Sequence, residues 1–268
     1  MLGKLMKYEF KATARILIPL YGALIIFALI NKIFMGDFFN NNDTILGNLP
    51  RVIGMIVYIS TMVAIFVVTL FIIIQRYRTN LLCDEGYLMN TIPVKPWKNI
   101  LSKLIVALVW TIASGIVSII SVIILAYQKG IISEIISVIP EVFTSINTSI
   151  GANGILYCIE LILMMLIGGL SSILMIYASL SIGSLFQKGK ILASFGAFIV
   201  LNIATNIIST IIQVPTMLSF GYSGTNLEGF PFEQLHMILI GSTIIVAAFA
   251  IIYFVISNYI LSKKLNLE

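Results

Sequence analysis

Residues 53–74 read IGMIVYISTMVAIFVVTLFIII and contain no charged side chain. A helix of about 20 apolar residues crosses the roughly 30 Å hydrocarbon core of a bilayer. Lipid offers no hydrogen-bond partner to the backbone, so the amides and carbonyls of such a stretch must pair within its own helix. This segment therefore predicts a transmembrane α-helix.

The rest of the chain is also rich in hydrophobic residues. Hydrophobic residues make up 59% and charged residues 10% of the 268 residues, against about 45–50% and 25% in soluble domains. Six segments are long and apolar enough to cross a bilayer: residues 16–33, 53–74, 101–127, 155–185, 191–214 and 237–261. The sequence predicts an all-α membrane protein in which residues 1–268 form a single transmembrane domain.

The basic residues predict the orientation of the spans. Thirteen of the 16 lysines and arginines lie at one end of the spans, and the other end has Lys32, Arg51 and Lys129. Positive residues collect on the cytoplasmic side of membrane proteins. We therefore expect both termini and the loop at residues 75–100 to be cytoplasmic, and residues 215–236 to be extracellular.

The first 15 residues form a separate pattern. Apolar residues recur there at three- and four-residue intervals, and the opposite face has the cations Lys4, Lys7, Lys11 and Arg15. This pattern predicts an amphipathic elbow helix, residues 1–15, that lies at the membrane interface before the first span. It is either a positively charged anchor or a cradle for a cytoplasmic partner.

The sequence lacks the residues that most enzymes need. His236 is the only histidine, and Cys83 and Cys158 are predicted on opposite sides of the membrane. No zinc-protease, serine-hydrolase or phosphate-loop motif is present. We predict no catalytic residue and no metal or cofactor site in this chain, which is therefore not expected to be an enzyme. The cations line the membrane margin, which favours the lipid bilayer over nucleic acid as a partner.

One cytoplasmic loop has the composition of a docking segment. Residues 84–94 read DEGYLMNTIPV, an acidic pair followed by an aromatic residue and a Leu-Met pair. A short helix ended by Pro93 would present these side chains to a groove in another protein. The alternative is a solvated loop in which Trp97 anchors the chain at the interface.

Together with MLGKLMKYEFK at residues 1–11 and Ser102-Lys103, this loop resembles the permease subunits of type 2 ABC exporters, in particular the short six-span permeases of Gram-positive bacteria. The resemblance implies a bacterial plasma membrane and a dimer with a second copy or a paralogue. It also implies two ATPase subunits that bind ATP and Mg. The ATPase-coupling residues would be Asp84, Glu85, Gly86, Tyr87, Leu88, Met89, Thr91 and Pro93. A second cytoplasmic contact would be formed by Gln187, Lys188 and Lys190. By the same resemblance, residues 215–236 would form an extracellular hairpin near the exit.

Two sets of polar residues lie inside the predicted spans. Asn202, Asn206, Ser209 and Gln213 share one face of a helix, where they either bond to neighbouring helices or a second permease, or line a conduit. Glu160 lies near the outer end of its span. A carboxylate costs about 2.5–3.5 kcal/mol at the bilayer centre and less near the interface. Glu160 therefore either contacts a cationic substrate or stays hydrated without a role.

The expected function is the membrane part of an ATP-driven exporter. It would move an amphipathic substrate, such as a peptide, an antibiotic or a lipid-like compound, while a separate subunit hydrolyses ATP. Two alternatives remain: a secondary transporter driven by an ion gradient, and a membrane immunity or scaffold protein that transports nothing.

Overall fold

The computed structural model describes residues 2–35, 45–82, 95–126, 137–138, 140, 144, 154–219 and 232–263. The elements in these ranges are all helical. In chain order they are α1 (Leu2–Met35), α2 (Ile45–Tyr77), a π-helical turn (Arg78–Leu82), α3 (Pro96–Ala126), α4 (Gly154–Gly183), α5 (Lys190–Ser219) and α6 (Phe232–Lys263).

Each of the six α-helices is long and apolar enough to cross a membrane. Every predicted span lies within one of these helices to within about two residues. The prediction of an all-α, multi-pass membrane protein with six apolar helices is confirmed. The cytoplasmic location of the two termini stays a prediction.

The first helix differs from its prediction. The sequence pattern predicted an interfacial helix at residues 1–15 followed by a span at 16–33, but the structure has one continuous helix, Leu2–Met35. Residues 12–18 contain neither Gly nor Pro, so nothing ends the helix there. Pro19 lacks a backbone donor, yet the helix continues through it. With 34 residues, α1 is about 51 Å long and extends well beyond the hydrocarbon core.

The chain divides into two compact units. One contains Met1–Arg76 and Leu101–Ile135, and the other contains Tyr77–Ile100 and Ile136–Glu268. The first unit therefore holds α1, most of α2 and most of α3. The second holds α4, α5 and α6 together with the end of α2 and the start of α3. That the whole chain is a single transmembrane domain stays a prediction.

In the first unit, buried hydroxyl groups join the three helices. The Tyr21 hydroxyl lies 2.7 Å from Ser114 Oγ, which is itself 3.0 Å from Thr69 Oγ1. Tyr58 and Ser121 form a second such pair at 2.9 Å. Because lipid cannot satisfy these groups, hydroxyls placed between helices hold them together.

The contacts of this unit also give the direction of its helices. Glu9 of α1 meets Lys103 of α3, and the Lys32 ammonium donates to the Ile124 carbonyl at 3.1 Å. The residue numbers of the two helices rise together, so α1 and α3 are parallel. The Asn31 amide donates to the Gly54 carbonyl near the start of α2, which makes α2 antiparallel to both.

In the second unit, α4 packs against α5 and α6. Gly183, the last residue of α4, lies against Ser194 of α5. A Cβ atom at Gly183 would stand 2.5 Å from the Ser194 backbone nitrogen. The absence of a side chain at Gly183 therefore allows the two helices to approach closely where they are joined.

Candidate functional site

The first candidate site is a buried ion pair. The Lys103 ammonium donates to Glu9 Oε1, and their side chains are only 2% and 10% exposed. Burying one unpaired charge costs several kcal/mol, so each residue requires the other. The pair holds the first half of α1 against the start of α3.

Sequence reasoning missed this pair. Glu9 is the only acidic residue of α1 and lies among four cations, and Lys103 follows Ser102 at the entrance to a span. A lone carboxylate on the apolar face of a basic helix was a signal that it needed a cation. The helix carrying that cation became known only from the packing of α1 against α3.

The second candidate site surrounds the end of α2. Tyr77 is fully buried and stacks on Tyr177 of α4, with ring centroids 4.0 Å apart and planes inclined by 11°. Its hydroxyl lies 2.7 Å from Ser181 Oγ. The π-helical turn Arg78–Leu82 follows at once, and single π-helical turns occur frequently at functional sites. The chain is therefore anchored to α4 within the predicted loop at residues 75–100, a few residues before the predicted coupling residues.

The coupling residues themselves lie outside the described residues. Asp84, Glu85, Gly86, Tyr87, Leu88, Met89, Thr91 and Pro93 all fall in 83–94. Lys95 is the first described residue after this segment, and its carbonyl accepts a hydrogen bond of 2.9 Å from the Lys98 amide at the start of α3. Trp97 is 39% exposed, and the Lys98 ammonium lies 5.5 Å from its ring centroid. Such a side chain suits the membrane–water interface.

The predicted second contact is the turn between α4 and α5. Gln187 and Lys188 are exposed in the turn, and Lys190 is exposed at the start of α5. Gly189 reverses the chain with a φ of 69°, which L side chains rarely adopt. Leu185, Phe186, Ile191 and Leu192 are exposed beside them. The turn thus presents apolar side chains and cations together, a combination that fits a contact with another protein.

The cations of the predicted elbow helix all lie on the outside of α1. Lys4, Lys7, Lys11 and Arg15 are exposed, and Glu9 is buried on the opposite side. The predicted amphipathic division of residues 2–15 is therefore present, within a helix that continues into the span.

The polar stripe of α5 lies at the edge of its packed face. Asn202 and Asn206 are exposed, whereas Ser209 and Gln213 are part-buried. The Asn206 amide donates to the Asn202 carbonyl at 2.8 Å and to Asn202 Oδ1 at 3.0 Å, so both bonds stay within the helix. The hydrogen bond from α5 to α6 is instead made by Thr205, whose hydroxyl meets that of Tyr253.

Glu160 has a partner that the sequence did not indicate. Its Oε1 atom lies 2.5 Å from Nδ1 of His236, which belongs to α6. The Glu160 side chain is 11% exposed and that of His236 is 32% exposed. The sequence left a substrate contact and an idle hydrated group open for Glu160 and did not name His236 as its neighbour. The pair joins α4 to α6 near the N-terminal ends of both helices.

Within the described ranges, no three His, Cys, Asp or Glu side chains group together to hold a metal ion. Comparison with protein-family models, curated proteins and solved structures finds no match for this chain. The fold therefore defines the class of the protein as multi-pass and membrane-spanning. A more specific identity rests on the residues themselves.

Proposed function

We propose that this chain is the membrane-spanning permease subunit of an ATP-driven ABC exporter. One observation carries the proposal: Glu9 and Lys103, which belong to two of the three segments that resemble such permeases, form a buried ion pair. The remaining segment, residues 84–94, precedes α3 in the sequence and lies outside the described residues. The ion pair therefore supports the proposal through residues 1–11 and Ser102-Lys103 alone.

The anchoring of the loop supports a coupling role. A docking loop transmits force only if its ends are attached firmly to the helices that must move. Tyr77 attaches the entry of residues 83–94 to α4 by a ring stack and a hydrogen bond to Ser181. In our proposal the loop receives the ATPase movement, and the exposed turn with Lys188 and Lys190 forms the second contact.

The proposal includes the surroundings of the chain. Two permeases, identical or paralogous, cross a bacterial plasma membrane with their termini in the cytoplasm, and two ATPase subunits bind ATP and Mg. The permease supplies the path for an amphipathic substrate and no catalytic residue. Asn202 and Asn206 of α5 would face the second permease or the path.

The test is purification of the tagged full-length chain from its native membranes in mild detergent. A stoichiometric ATPase partner is expected in the eluate. Changing Asp84→Lys and Glu85→Lys together should abolish substrate-stimulated ATP hydrolysis without affecting membrane insertion. The matched control is Glu228→Lys with Glu233→Lys in the predicted outer hairpin, which should keep that activity. Equal loss in both variants would contradict the coupling role.

A secondary transporter driven by an ion gradient is the second candidate function, and one observation favours it. Glu160 Oε1 lies 2.5 Å from Nδ1 of His236, and ionisable side chains within membrane spans commonly mark ion pathways in transporters driven by ion gradients. If an intact preparation contains no ATPase, substrate uptake into proteoliposomes driven by a pH gradient alone would favour this candidate. Uptake that requires ATP and a second subunit would exclude it.

A further inference from the structure

The first half of α1 carries a row of four exposed cations. Lys4, Lys7, Lys11 and Arg15 are exposed on one side of the helix, spaced over about 16 Å of its length. We call these four residues the basic face. Among the described residues, no carboxylate lies within ion-pair distance of them. Glu9 lies on the opposite side and is paired with Lys103. Within the described part of the chain, the basic face therefore presents four positive charges that no carboxylate pairs with.

The same side of α1 becomes apolar beyond the basic face. Ile18, Ile26, Leu29 and Ile33 are 48–65% exposed, and they follow Arg15 along the same side of the helix. Leu17, Leu24 and Ala28 are buried on the other side. An exposed row of isoleucine and leucine on a membrane-spanning helix contacts lipid tails. Since α1 is continuous, lipids whose tails lie along Ile18–Ile33 have their headgroups beside Arg15 and Lys11.

We propose that the basic face binds the phosphate headgroups of anionic phospholipids. Arg15 lies nearest the tails and can bind a phosphate through two parallel hydrogen bonds. The lysines can extend along the helix to reach further headgroups. Tyr8, 72% exposed on the same side, suits the interface between tails and water. The Glu9–Lys103 pair fixes the rotation of the helix, so the cations stay on the lipid side.

An acidic protein surface is the less favoured partner for this face. A protein docked on the basic face would have to end abruptly at Arg15, because the next exposed residues on that side are the apolar Ile18 and Ile26. A phospholipid matches the whole strip, with a charged headgroup and an apolar tail in the observed order. The inference does not depend on the proposed exporter function.

The test measures lipid selectivity of the intact chain in phosphatidylcholine vesicles. Spin-labelled phosphatidylglycerol and spin-labelled phosphatidylcholine are compared by their immobilised fractions. The variant Lys4→Gln, Lys7→Gln, Lys11→Gln, Arg15→Gln removes the basic face. The matched control Lys95→Gln, Lys98→Gln, Lys188→Gln, Lys190→Gln removes the same charge from the α3 start and the α4–α5 turn.

The wild type and the control should prefer phosphatidylglycerol, and the basic-face variant should lose that preference. Each cation near an anionic surface contributes roughly 1 kcal/mol, which corresponds to about fivefold in affinity at the affected site. Raising the salt concentration should weaken the wild-type preference. If the four-residue variant fails to insert, Lys4→Gln with Lys7→Gln retains the two cations nearest the membrane and should show a partial loss.

Equal loss in the basic-face variant and in the control would overturn the proposal, because it would indicate a diffuse charge effect. Unchanged lipid preference in the basic-face variant would overturn it as well. If that unchanged preference is accompanied by loss of a co-purifying acidic protein, the basic face is a protein-docking surface instead.

Discussion

The ion pair of Glu9 and Lys103 determines how one helix lies against another in this protein. Neither residue tolerates burial alone, and the pair lies at the end where α1 and α3 begin. A buried ion pair adds little net stability compared with a well-packed apolar pair, but loss of one partner is costly. The pair therefore specifies which residues of α1 and α3 lie side by side.

At the residue scale, we expect Glu9→Gln to destabilise the protein by about 3–5 kcal/mol, because it leaves the Lys103 ammonium buried without its counter-charge. The double variant Glu9→Leu, Lys103→Met should recover most of that loss. The free energy of unfolding in mixed micelles of increasing SDS content measures both effects. An unchanged free energy of unfolding in the Glu9→Gln variant would show that the pair is not needed for folding.

At the scale of the element, α1 and α4 differ in what determines their length. Helix α1 is about 51 Å long, which exceeds the thickness of a bilayer, and it continues through Pro19. Helix α4 ends at Gly183, where the chain turns and Gly183 lies close to Ser194 of α5. The position of a glycine at a close approach thus determines how α4 and α5 pack.

For α4, we expect Gly183→Ala to destabilise the protein by about 1–3 kcal/mol, since the new methyl group overlaps the Ser194 backbone. Gly168→Ala on the same helix is the matched control, because nothing lies within 4 Å of its added Cβ. Alanine should stabilise that position by about 0.5–1 kcal/mol, the usual difference from glycine inside a helix. Thermal unfolding in detergent compares the two. A similar stability of both variants would argue against a tight contact at Gly183.

At the scale of the whole molecule, α5 is the least buried of the six long helices. Ser194 is its one buried residue among those described, and Asn202 and Asn206 bond only within the helix there. Exposed amides in an apolar helix indicate water or a polar partner outside the subunit. In the proposed exporter, this surface would face the second permease or the path.

We therefore expect Asn206→Leu to change either self-association or substrate selectivity while ATPase binding is retained. Hydrogen bonds between helices in membranes contribute about 0.6 kcal/mol on average, so the dimer dissociation constant should rise by roughly threefold if the amide lies in the dimer contact. Single-molecule photobleaching in vesicles measures the dimer, and transport assays measure selectivity. Ile203→Leu, an exposed apolar neighbour, is the control. No change in either property would assign the stripe no role in assembly or transport.

The sequence by itself determined the six apolar helices, the all-α class and the exposed basic face. Each of these depends on hydrophobic length or on the spacing of residues within one helix, so local physics was sufficient. Only the tertiary structure decided which partners Glu9, Tyr77 and Glu160 have, because those contacts join residues far apart in the chain. It also decided that α1 continues unbroken from Leu2, since an amphipathic pattern predicts a helical face without predicting where the helix ends.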